Sequence, residues 1–339
     1  MLFRSIDYPI AVLTQSEMEY NSREMMAYCK RHGFDISPHG KTNMSPTLVD
    51  MQLVDGVWGI SATSNWQMRT FYSMGVPRVI LTNEVVNPTI IKWISKTLNR
   101  DKNFDLLMYV DSVAGVKLLN DVLAPLKPSR PLTVLIEMGV KGGRAGARSK
   151  ETAIEVAKAV AASDHLVLRG ISGFEGVALA PEGKTVLDGV DAFLDLIVET
   201  VQEIDALGAF AKTPEIVLTA GGSNYFDRVI AKFSPVSLSK PVRKVLRSGC
   251  YLTHDDGFGS PDARVKDPSV DLPHFHSAID LWGEVLSIPE PTRAIVGLGK
   301  RDASFDISMP VPKLIRRKGD RKSTRLNSIH LGISYAVFC

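Results

Sequence analysis

Residues 132–138 read LTVLIEM, an almost unbroken apolar run between a proline-containing segment and a glycine-rich one. A run of this length that is apolar on both faces indicates a β-strand buried on both sides, as in a parallel sheet. Seven further runs of the same kind occupy residues 36–41, 57–62, 78–83, 106–111, 166–174, 215–220 and 244–249. The sequence therefore predicts eight strands of one parallel sheet.

The segments between these runs have the apolar spacing of amphipathic helices. Met18, Met25 and Cys29 share a face ahead of Gly33, which suits a helix C-terminus, and residues 187–207 carry a long apolar stripe. Eight strand–helix units predict an α/β fold, a closed (β/α)8 barrel. A doubly wound open sheet is the alternative, but no G-x-G-x-x-G follows the first run, where a dinucleotide site would need it.

Both ends of the chain depart from this alternation. YPIAVL at 8–13 and the proline-rich stretch at 255–318 have the pattern of short β-strands and turns. We therefore predict a second, mainly β domain made from both chain ends. The predicted divisions are an N-terminal segment of that domain at 1–20, the barrel at 21–253, an incomplete C-terminal β domain at 254–319 and a separate tail at 320–339.

The tail, residues 320–339, differs in character from everything before it. It matches the translation of a common sequencing-library adapter at every fixed position except Ile329. We interpret it as non-native rather than as an ordinary basic helix, and we expect the native C-terminus to be missing. The β domain would then be truncated.

Composition and charge limit the kinds of partner. The 339 residues carry 40 basic and 37 acidic side chains without a dense Lys/Arg surface, so no nucleic-acid partner is expected. No apolar run is long enough to span a bilayer and the start lacks a signal-peptide pattern, so we expect no membrane partner and a cytoplasmic location. Cys29, Cys250 and Cys339 are too few and too widely spaced for a disulfide framework, which fits a reducing compartment.

In a (β/α)8 barrel the site lies at the carboxyl ends of the strands, so the residues just after each run are informative. The residues in these positions are Lys41, Thr63, Asn83, Glu84, Asp111, Glu137, Phe174, Glu175, AGGS at 220–223 and SGCY at 248–251. Loops after strands seven and eight commonly bind a phosphate through backbone N–H groups and hydroxyls. The expected phosphate-binding residues are Gly221, Gly222, Ser223, Gly249, Cys250 and Tyr251. Glycines that only form tight turns are the alternative.

A phosphate site at one wall of the barrel and a lysine after the first strand suggest a phosphorylated aldehyde cofactor, pyridoxal 5′-phosphate, held by Lys41 as a Schiff base. His39 lies two residues earlier, on the same side of an extended strand, and could face the cofactor ring. Taken alone, such a histidine is more often structural. Arg144 could bind the phenolic oxygen of the cofactor or a substrate carboxylate, or be a surface arginine. A sugar-phosphate enzyme whose Lys41 reacts directly with substrate is the other interpretation.

Six motifs occur along the chain in the order PHGKTNMSP, GGRAGARS, GFEGV, TAGGSNYFD, RSGCYLTHD and GLGKRDASFD. In this order they resemble the D-serine dehydratase and D-threonine aldolase group, in particular its bacterial amino acid deaminase, or D-serine deaminase-like, branch. The resemblance spans about residues 7–318. It implies a fold type III barrel of the alanine racemase type, pyridoxal phosphate on Lys41, Arg144 near the cofactor and a homodimer. Phe174 stands where relatives have tyrosine, so a hydroxyl contact there is absent while ring stacking is kept.

Relatives in this group end in a short His-x-Cys or His-x-Asp motif that binds a divalent metal ion, zinc or manganese. Residues 255–318 lack that motif, so the resemblance implies that the metal ligands belong to the missing native C-terminus and that this chain could be inactive without them. The implied function is a pyridoxal-phosphate-dependent lyase acting on D-amino acids, first of all a D-serine-type dehydratase that yields a keto acid and ammonia. A D-threonine aldolase-type cleavage and a non-catalytic cofactor-binding protein are the alternatives.

Overall fold

A computed structural model of the chain describes residues 7–254, 271–303, 312–316, 324–325 and 335–338. The chain divides into two compact units, one formed by Met25–Cys250 and the other by Met1–Glu24 with Tyr251–Cys339. The first unit contains a parallel sheet and the second an antiparallel one. In the described ranges, no helix is long and apolar enough to cross a membrane.

The first unit is a barrel of parallel strands. These are β2 (Asp35–Ile36), β3 (Ile60–Ala62), β4 (Arg78–Glu84), β5 (Asp105–Val110), β6 (Leu132–Met138), β7 (Leu166–Gly173), β8 (Ile216–Ala220) and β9 (Val242–Leu246). They follow one another in the order β2-β9-β8-β7-β6-β5-β4-β3. A parallel bridge from His39 to Ser61, and a 2.8 Å hydrogen bond from the Trp58 N–H to the Ile36 carbonyl, join β2 to the β3 side. The predicted (β/α)8 barrel is confirmed.

Helices connect the strands on the outside of the barrel. They are α1 (Gln15–His32), α2 (Pro46–Val54), α3 (Asn65–Ser73), α4 (Pro88–Arg100), α5 (Val113–Leu123), α6 (Lys150–Ala161), α7 (Val186–Ala206) and α8 (Phe226–Phe233). Six begin after a side chain that accepts a first-turn N–H, namely Ser45, Ser64, Asn87, Ser112, Ser149 and Thr185. Each such cap stabilises a helix by ~1 kcal/mol relative to alanine. The caps also fix where each loop at the carboxyl end of the barrel stops.

Apolar side chains from five strands fill the middle of the barrel. The buried cluster comprises Ile80, Leu107, Tyr109, Leu135, Val217 and Val245. Burying an aliphatic side chain of this size contributes roughly 1.5–3 kcal/mol. The cluster is the dry layer that separates the two polar ends of the barrel.

Charged side chains of alternating sign surround the amino end of the strands. We call this set the amino-end belt; in spatial order it is Asp35, Arg243, Glu215, Arg169, Asp105 and Arg78. Each neighbouring pair is joined by a nitrogen–oxygen contact of 2.5–3.1 Å. The two outer arginines also lie over the Trp58 ring, at 4.5 and 5.6 Å from its centre. Every charge in the belt therefore has at least one partner of opposite sign.

The second unit is an antiparallel sheet made from both chain ends. Its strands are β1 (Ile10–Leu13), β10 (Ile279–Glu290), β11 (Arg293–Val296), β12 (Pro312–Arg316), β13 (Thr324–Arg325) and β14 (Tyr335–Phe338). β10 pairs with β1, β11 and β14, and β12 pairs with β13 and β14. A mainly β second domain was predicted, and this sheet confirms it.

Parts of the predicted divisions of this unit fall outside the described residues. These parts are 1–6, 255–270, 304–311 and 317–319. β13 and β14 belong to the tail at 320–339, whose adapter origin stays a prediction.

Candidate active site

Lys41 lies at the carboxyl end of the barrel in a turn of its own. The strand predicted at 36–41 is shorter than expected, because β2 ends at Ile36 and Pro38 has no N–H to continue the ladder. A single helical turn, Gly40–Thr42, follows and leaves Lys41 exposed. Only glycine fits before the lysine, since a Cβ at Gly40 would lie 2.3 Å from the Phe71 ring. The lysine is thus held on a constrained backbone with its amine in solvent.

His39 lies half-buried beside this turn, and its ring is neutral at pH 7. Its Nδ1 atom has no hydrogen-bond partner in the described structure. Burial is the largest cause of a pKa of His39 well below the usual value. The positive charges of Arg247, Lys41 and Arg144 lower this pKa further. His39 therefore lies among three cations, two of which were predicted to be near a cofactor.

Arg247 is a buried cation that the sequence analysis did not single out. It is only 2% exposed and follows β9 directly. Its guanidinium donates to Thr219 Oγ1 over 2.8 Å and to the Gly173 carbonyl over 2.6 Å, which ties together the ends of β7, β8 and β9. Its Nε is buried without a partner in the described structure. The signal in the sequence was an arginine directly after apolar Val245 and Leu246.

Two glutamates end strands on the other side of the barrel. Burial raises the pKa of Glu137 to about 8, and the negative charge of Glu84 adds to the rise. Burial also raises the pKa of Glu84, whose Oε1 is buried without a partner in the described structure. The charges of Arg247 and Arg144 partly offset the rise at Glu137. At neutral pH Glu137 therefore holds a proton, in the same field of cations as His39.

The loops after β8 and β9 contact each other and the lysine turn. The Ser248 hydroxyl donates to the Gly222 carbonyl over 2.6 Å, and the Cys250 N–H points to Ser223 Oγ at 3.4 Å. A Cβ at Gly249 would lie 2.7 Å from the His39 carbonyl, so the loop after β9 packs directly against the Gly40–Thr42 turn that carries Lys41. The structure thus brings together six predicted residues, His39, Lys41, Gly222, Ser223, Gly249 and Cys250.

Glu175 occupies the N–H groups of the loop after β8. The Gly221 N–H donates to its Oε2 over 2.9 Å and the Gly222 N–H to its Oε1 over 2.7 Å. Gly221 has φ +112°, a conformation that favours glycine. Both groups were predicted to donate to a phosphate. In the structure their partner is a carboxylate, and since the Cys250 N–H donates to Ser223 Oγ, the Ser223 hydroxyl remains as a phosphate donor.

Arg144 and Phe174 lie together beside the same loop. The guanidinium carbon of Arg144 is 4.9 Å from the centre of the Phe174 ring, a cation–π distance. A Cβ at Gly222 would come within 2.6 Å of that ring, so the ring lies directly on the loop. Arg148 fixes the backbone around Arg144 by donating to the carbonyl oxygens of residues 143–146. Tyr251, the last predicted phosphate contact, is buried in the second unit, and its role stays a prediction.

These residues fit pyridoxal phosphate but not the expected metal ion. An exposed amine at Lys41 and unpartnered buried nitrogens on His39 and Arg247 are groups that a polar ring compound could satisfy. Glycines at 222 and 249 keep both loops close to the lysine turn. Within the ranges that the structure describes, no group of three or more His, Cys, Asp or Glu residues could hold a metal ion. We assign no step to a metal.

No family model matches the chain. In sequence it is 28% identical over 311 residues to 3-hydroxy-D-aspartate aldolase of Paracoccus denitrificans (strain Pd 1222), a match that covers 90% of this chain and 75% of that protein. In structure it is similar to D-threonine aldolase from Filomicrobium marinum, with a TM-score of 0.73 and 19% identity over 98% of this chain and 86% of that one.

Two further solved structures share the fold. D-threo-3-hydroxyaspartate dehydratase from Delftia sp. HT23 has a TM-score of 0.69 and 18% identity, covering 98% of this chain and 84% of that one. An alanine racemase-like protein from Idiomarina loihiensis has a TM-score of 0.67 and 14% identity, with the same coverage of both chains. The barrel is therefore of the alanine racemase type. The sequence relative is an aldolase, and this likeness supports a lyase enzyme.

Proposed function

We propose that the chain is a pyridoxal-5′-phosphate-dependent lyase that acts on D-amino acids with a β-hydroxyl group. The observation that carries the proposal is the grouping of an exposed Lys41 amine with neutral His39 and the glycine loops after β8 and β9. A solvated loop lysine would not need a neighbouring turn in which only glycine fits, at Gly40 and again at Gly249. The likeness to an aldolase over most of the chain supports the same conclusion.

Four residues would hold the cofactor. Lys41 provides the amine for its aldehyde, the Ser223 hydroxyl provides a donor for its phosphate, and Phe174 provides an apolar face. Arg144, which lies over Phe174, provides a cation for the phenolic oxygen or for a substrate carboxylate. When bound, pyridoxal phosphate supplies a conjugated ring that accepts the electron pair released at the α carbon of the substrate.

The protein's own groups hold and move the protons. When the amino group of the substrate takes the place of Lys41 on the cofactor aldehyde, the Lys41 amine is released. It would then act as the base, taking the proton from the α carbon in dehydration or from the β-hydroxyl in Cα–Cβ cleavage. His39 stays neutral, because burial and three nearby cations lower its pKa, so it adds no further positive charge beside that amine. Glu137, with a pKa raised by burial to about 8, keeps a proton on its carboxyl group at pH 7. The site therefore combines one base with one neutral acid.

Two reactions are candidates. Cleavage of the Cα–Cβ bond, as in D-threonine aldolase, would release glycine and an aldehyde, and the sequence relative is an aldolase. Dehydration, as in a D-serine-type dehydratase, would release a keto acid and ammonia, and a dehydratase shares the fold. The homodimer and the divalent metal ion implied by the resemblance stay predictions, which sedimentation and metal analysis would check.

The cofactor proposal is tested by reducing the protein with borohydride after incubation with pyridoxal phosphate. We expect the wild-type chain to show a visible absorbance band and to yield, after reduction and digestion, one labelled peptide that contains Lys41. Lys41→Ala should lose the band, the label and about 10³-fold or more of any lyase activity. Lys141→Ala, which removes another exposed lysine after a barrel strand, is the matched control and should keep all three.

A wild-type chain without a band, or a label that persists in Lys41→Ala, would contradict the proposal. The reaction is decided separately by incubating the protein, with and without added Zn²⁺ or Mn²⁺, with D-threonine, 3-hydroxy-D-aspartate and D-serine. Glycine and an aldehyde indicate aldol cleavage, whereas a keto acid and ammonia indicate dehydration. Bound cofactor with no product from any of the three, in a chain that carries the native C-terminus in place of residues 320–339, would refute the lyase proposal.

A further inference from the structure

Glu175 is a carboxylate placed inside the loop that was expected to bind phosphate. It follows β7 and is 0% exposed. Its two oxygens accept the consecutive N–H groups of Gly221 and Gly222 at 2.9 and 2.7 Å. Consecutive backbone N–H groups that converge in this way form an anion-binding concavity. The chain thus fills its own anion site with one of its own side chains.

Burial prevents Glu175 from giving up this position to a ligand. Burial raises the pKa of its carboxyl group, while the hydrogen bond from Gly222 and the charge of Arg247 lower it. If a phosphate took the two N–H groups, an ionised side chain would remain buried with only the hydrogen bond from its own N–H, which is unfavourable. A phosphate would therefore bind beside this carboxylate rather than replace it.

The same contacts fix the donors that remain. Gly222, whose N–H is bound to Glu175, accepts the Ser248 hydroxyl at its carbonyl over 2.6 Å. Ser223 comes next in the chain, and the Cys250 N–H points to its Oγ at 3.4 Å. Glu175 therefore holds the loop after β8, and through it the loop after β9, in one arrangement.

We propose that Glu175 is a positioning residue for the phosphate of the cofactor. By holding the N–H groups of Gly221 and Gly222 it orients the Ser223 hydroxyl, whose oxygen accepts the Cys250 N–H, toward the phosphate, without touching the phosphate itself. The inference rests on the proposed function, because it assumes that a phosphorylated aldehyde binds at this end of the barrel.

The test compares two aldehydes that differ only in the phosphate. Dissociation constants of pyridoxal 5′-phosphate and of unphosphorylated pyridoxal are measured on the full chain by absorbance titration. The ratio of the pyridoxal constant to the pyridoxal 5′-phosphate constant reports the contribution of the phosphate to affinity. Glu175→Gln removes one acceptor, and Glu175→Asp keeps the charge but shortens its reach, so it serves if the first variant does not fold. Glu215→Gln is the matched control, since Glu215 precedes β8 at the opposite end and has arginine partners.

We expect both Glu175 variants to reduce the ratio about tenfold, as is typical for residues that orient a ligand-binding group, with little change in pyridoxal affinity. Glu215→Gln should lower thermal stability but leave the ratio unchanged. An unchanged ratio in the Glu175 variants would overturn the inference, because Glu175 would then have only a structural role. A higher ratio would also overturn it, since Glu175 would then compete with the phosphate.

Amide hydrogen exchange separates this inference from the proposed function. In the chain without cofactor, the peptide that covers Gly221 and Gly222 should be protected, and Glu175→Gln should increase its exchange rate about tenfold or more while peptides of the amino-end belt do not change. If the wild-type chain binds neither aldehyde, the proposed function fails. If Glu175→Gln leaves the protection of this peptide unchanged, the positioning role is refuted whether or not the cofactor binds.

Discussion

The two ends of the same eight strands use charge in opposite ways. At the amino end, six charges alternate in sign and each has a partner within 3.1 Å. At the carboxyl end, His39, Arg247 and Glu84 each have a buried atom without a partner in the described structure, whereas in the amino-end belt only Arg169 has one, at its Nε. The strands are continuous from one end to the other, so the difference lies in the side chains chosen for each end.

The pKa values of the glutamates show the same contrast. Burial acts to raise the pKa of Glu215 in the belt, but hydrogen bonds from Arg169 and Arg243 outweigh it and the pKa is lowered. At the other end burial prevails, and the pKa values of Glu137 and Glu175 are raised. Paired charges stabilise the fold, whereas unsatisfied ones remain available to a ligand. In barrel enzymes the carboxyl end is the catalytic one, which agrees with this division.

The largest effect is expected from removing the buried cation of the carboxyl end. Arg247→Met should lower the free energy of unfolding by ~3 kcal/mol, because Thr219 and the Gly173 carbonyl lose their donor and Glu175 loses a nearby positive charge. Urea denaturation measures the loss. Arg144→Met removes an exposed cation at the same end and should cost less than ~1 kcal/mol. Equal losses in the two variants would show that burial does not distinguish these arginines.

A smaller effect is expected at the amino end. Arg169→Met breaks contacts with Asp105 and Glu215 in the half-buried belt and should lower the free energy of unfolding by ~1–2 kcal/mol. Because the pKa of Glu215 is lowered in the folded state, its share of this stability is present at neutral pH and is lost as the pH falls through the folded pKa. Cofactor affinity, measured by absorbance titration, should not change. A fall in affinity would mean that the two ends are not independent.

A separate effect, seen only when the pH is changed, concerns stability at the carboxyl end. The pKa of Glu137, raised by burial to about 8, means that the folded state binds more protons than the unfolded state between pH 4.5 and about 8. Its contribution to stability is therefore fully present below pH 4.5 and is lost as the pH rises through about 8. Glu137→Gln should flatten this decline in urea denaturation at pH 5, 7 and 8.5. A decline as steep as that of the wild-type chain would assign the titration to another group.

Much of the fold could be predicted because buried parallel strands have an almost continuous apolar sequence. LTVLIEM corresponds to β6 at both ends, and other strands differ from the predicted runs by only one to three residues. The exception is the first strand, predicted at 36–41 and observed at Asp35–Ile36. Pro38 and Gly40 turn the chain there, and glycine is required because of Phe71, a contact between residues distant in sequence.

The sequence predicted which loops form the site, but not which residues of these loops contact one another. Lys41, His39 and the glycine loops were found because their position after each strand is enough to place them. Arg247 was missed, because an arginine after an apolar run usually ends a strand at the surface. Glu175 follows one strand, and the loop after β8 that it fills follows another. Which side chain contacts which loop is decided by three-dimensional contacts that the sequence does not reveal.

The pairing of β1 with β10 has a consequence for the order of synthesis. Ile10 pairs with Trp282 and Leu13 with Ile279, and the whole barrel lies between them in sequence. On the ribosome, β1 therefore emerges before the barrel and remains unpaired until β10 has been made. Closing so long a loop costs little more entropy than closing a shorter one, so the delay is kinetic rather than energetic. A strand of only four residues exposes few unpaired backbone N–H and C=O groups to other nascent chains during that time.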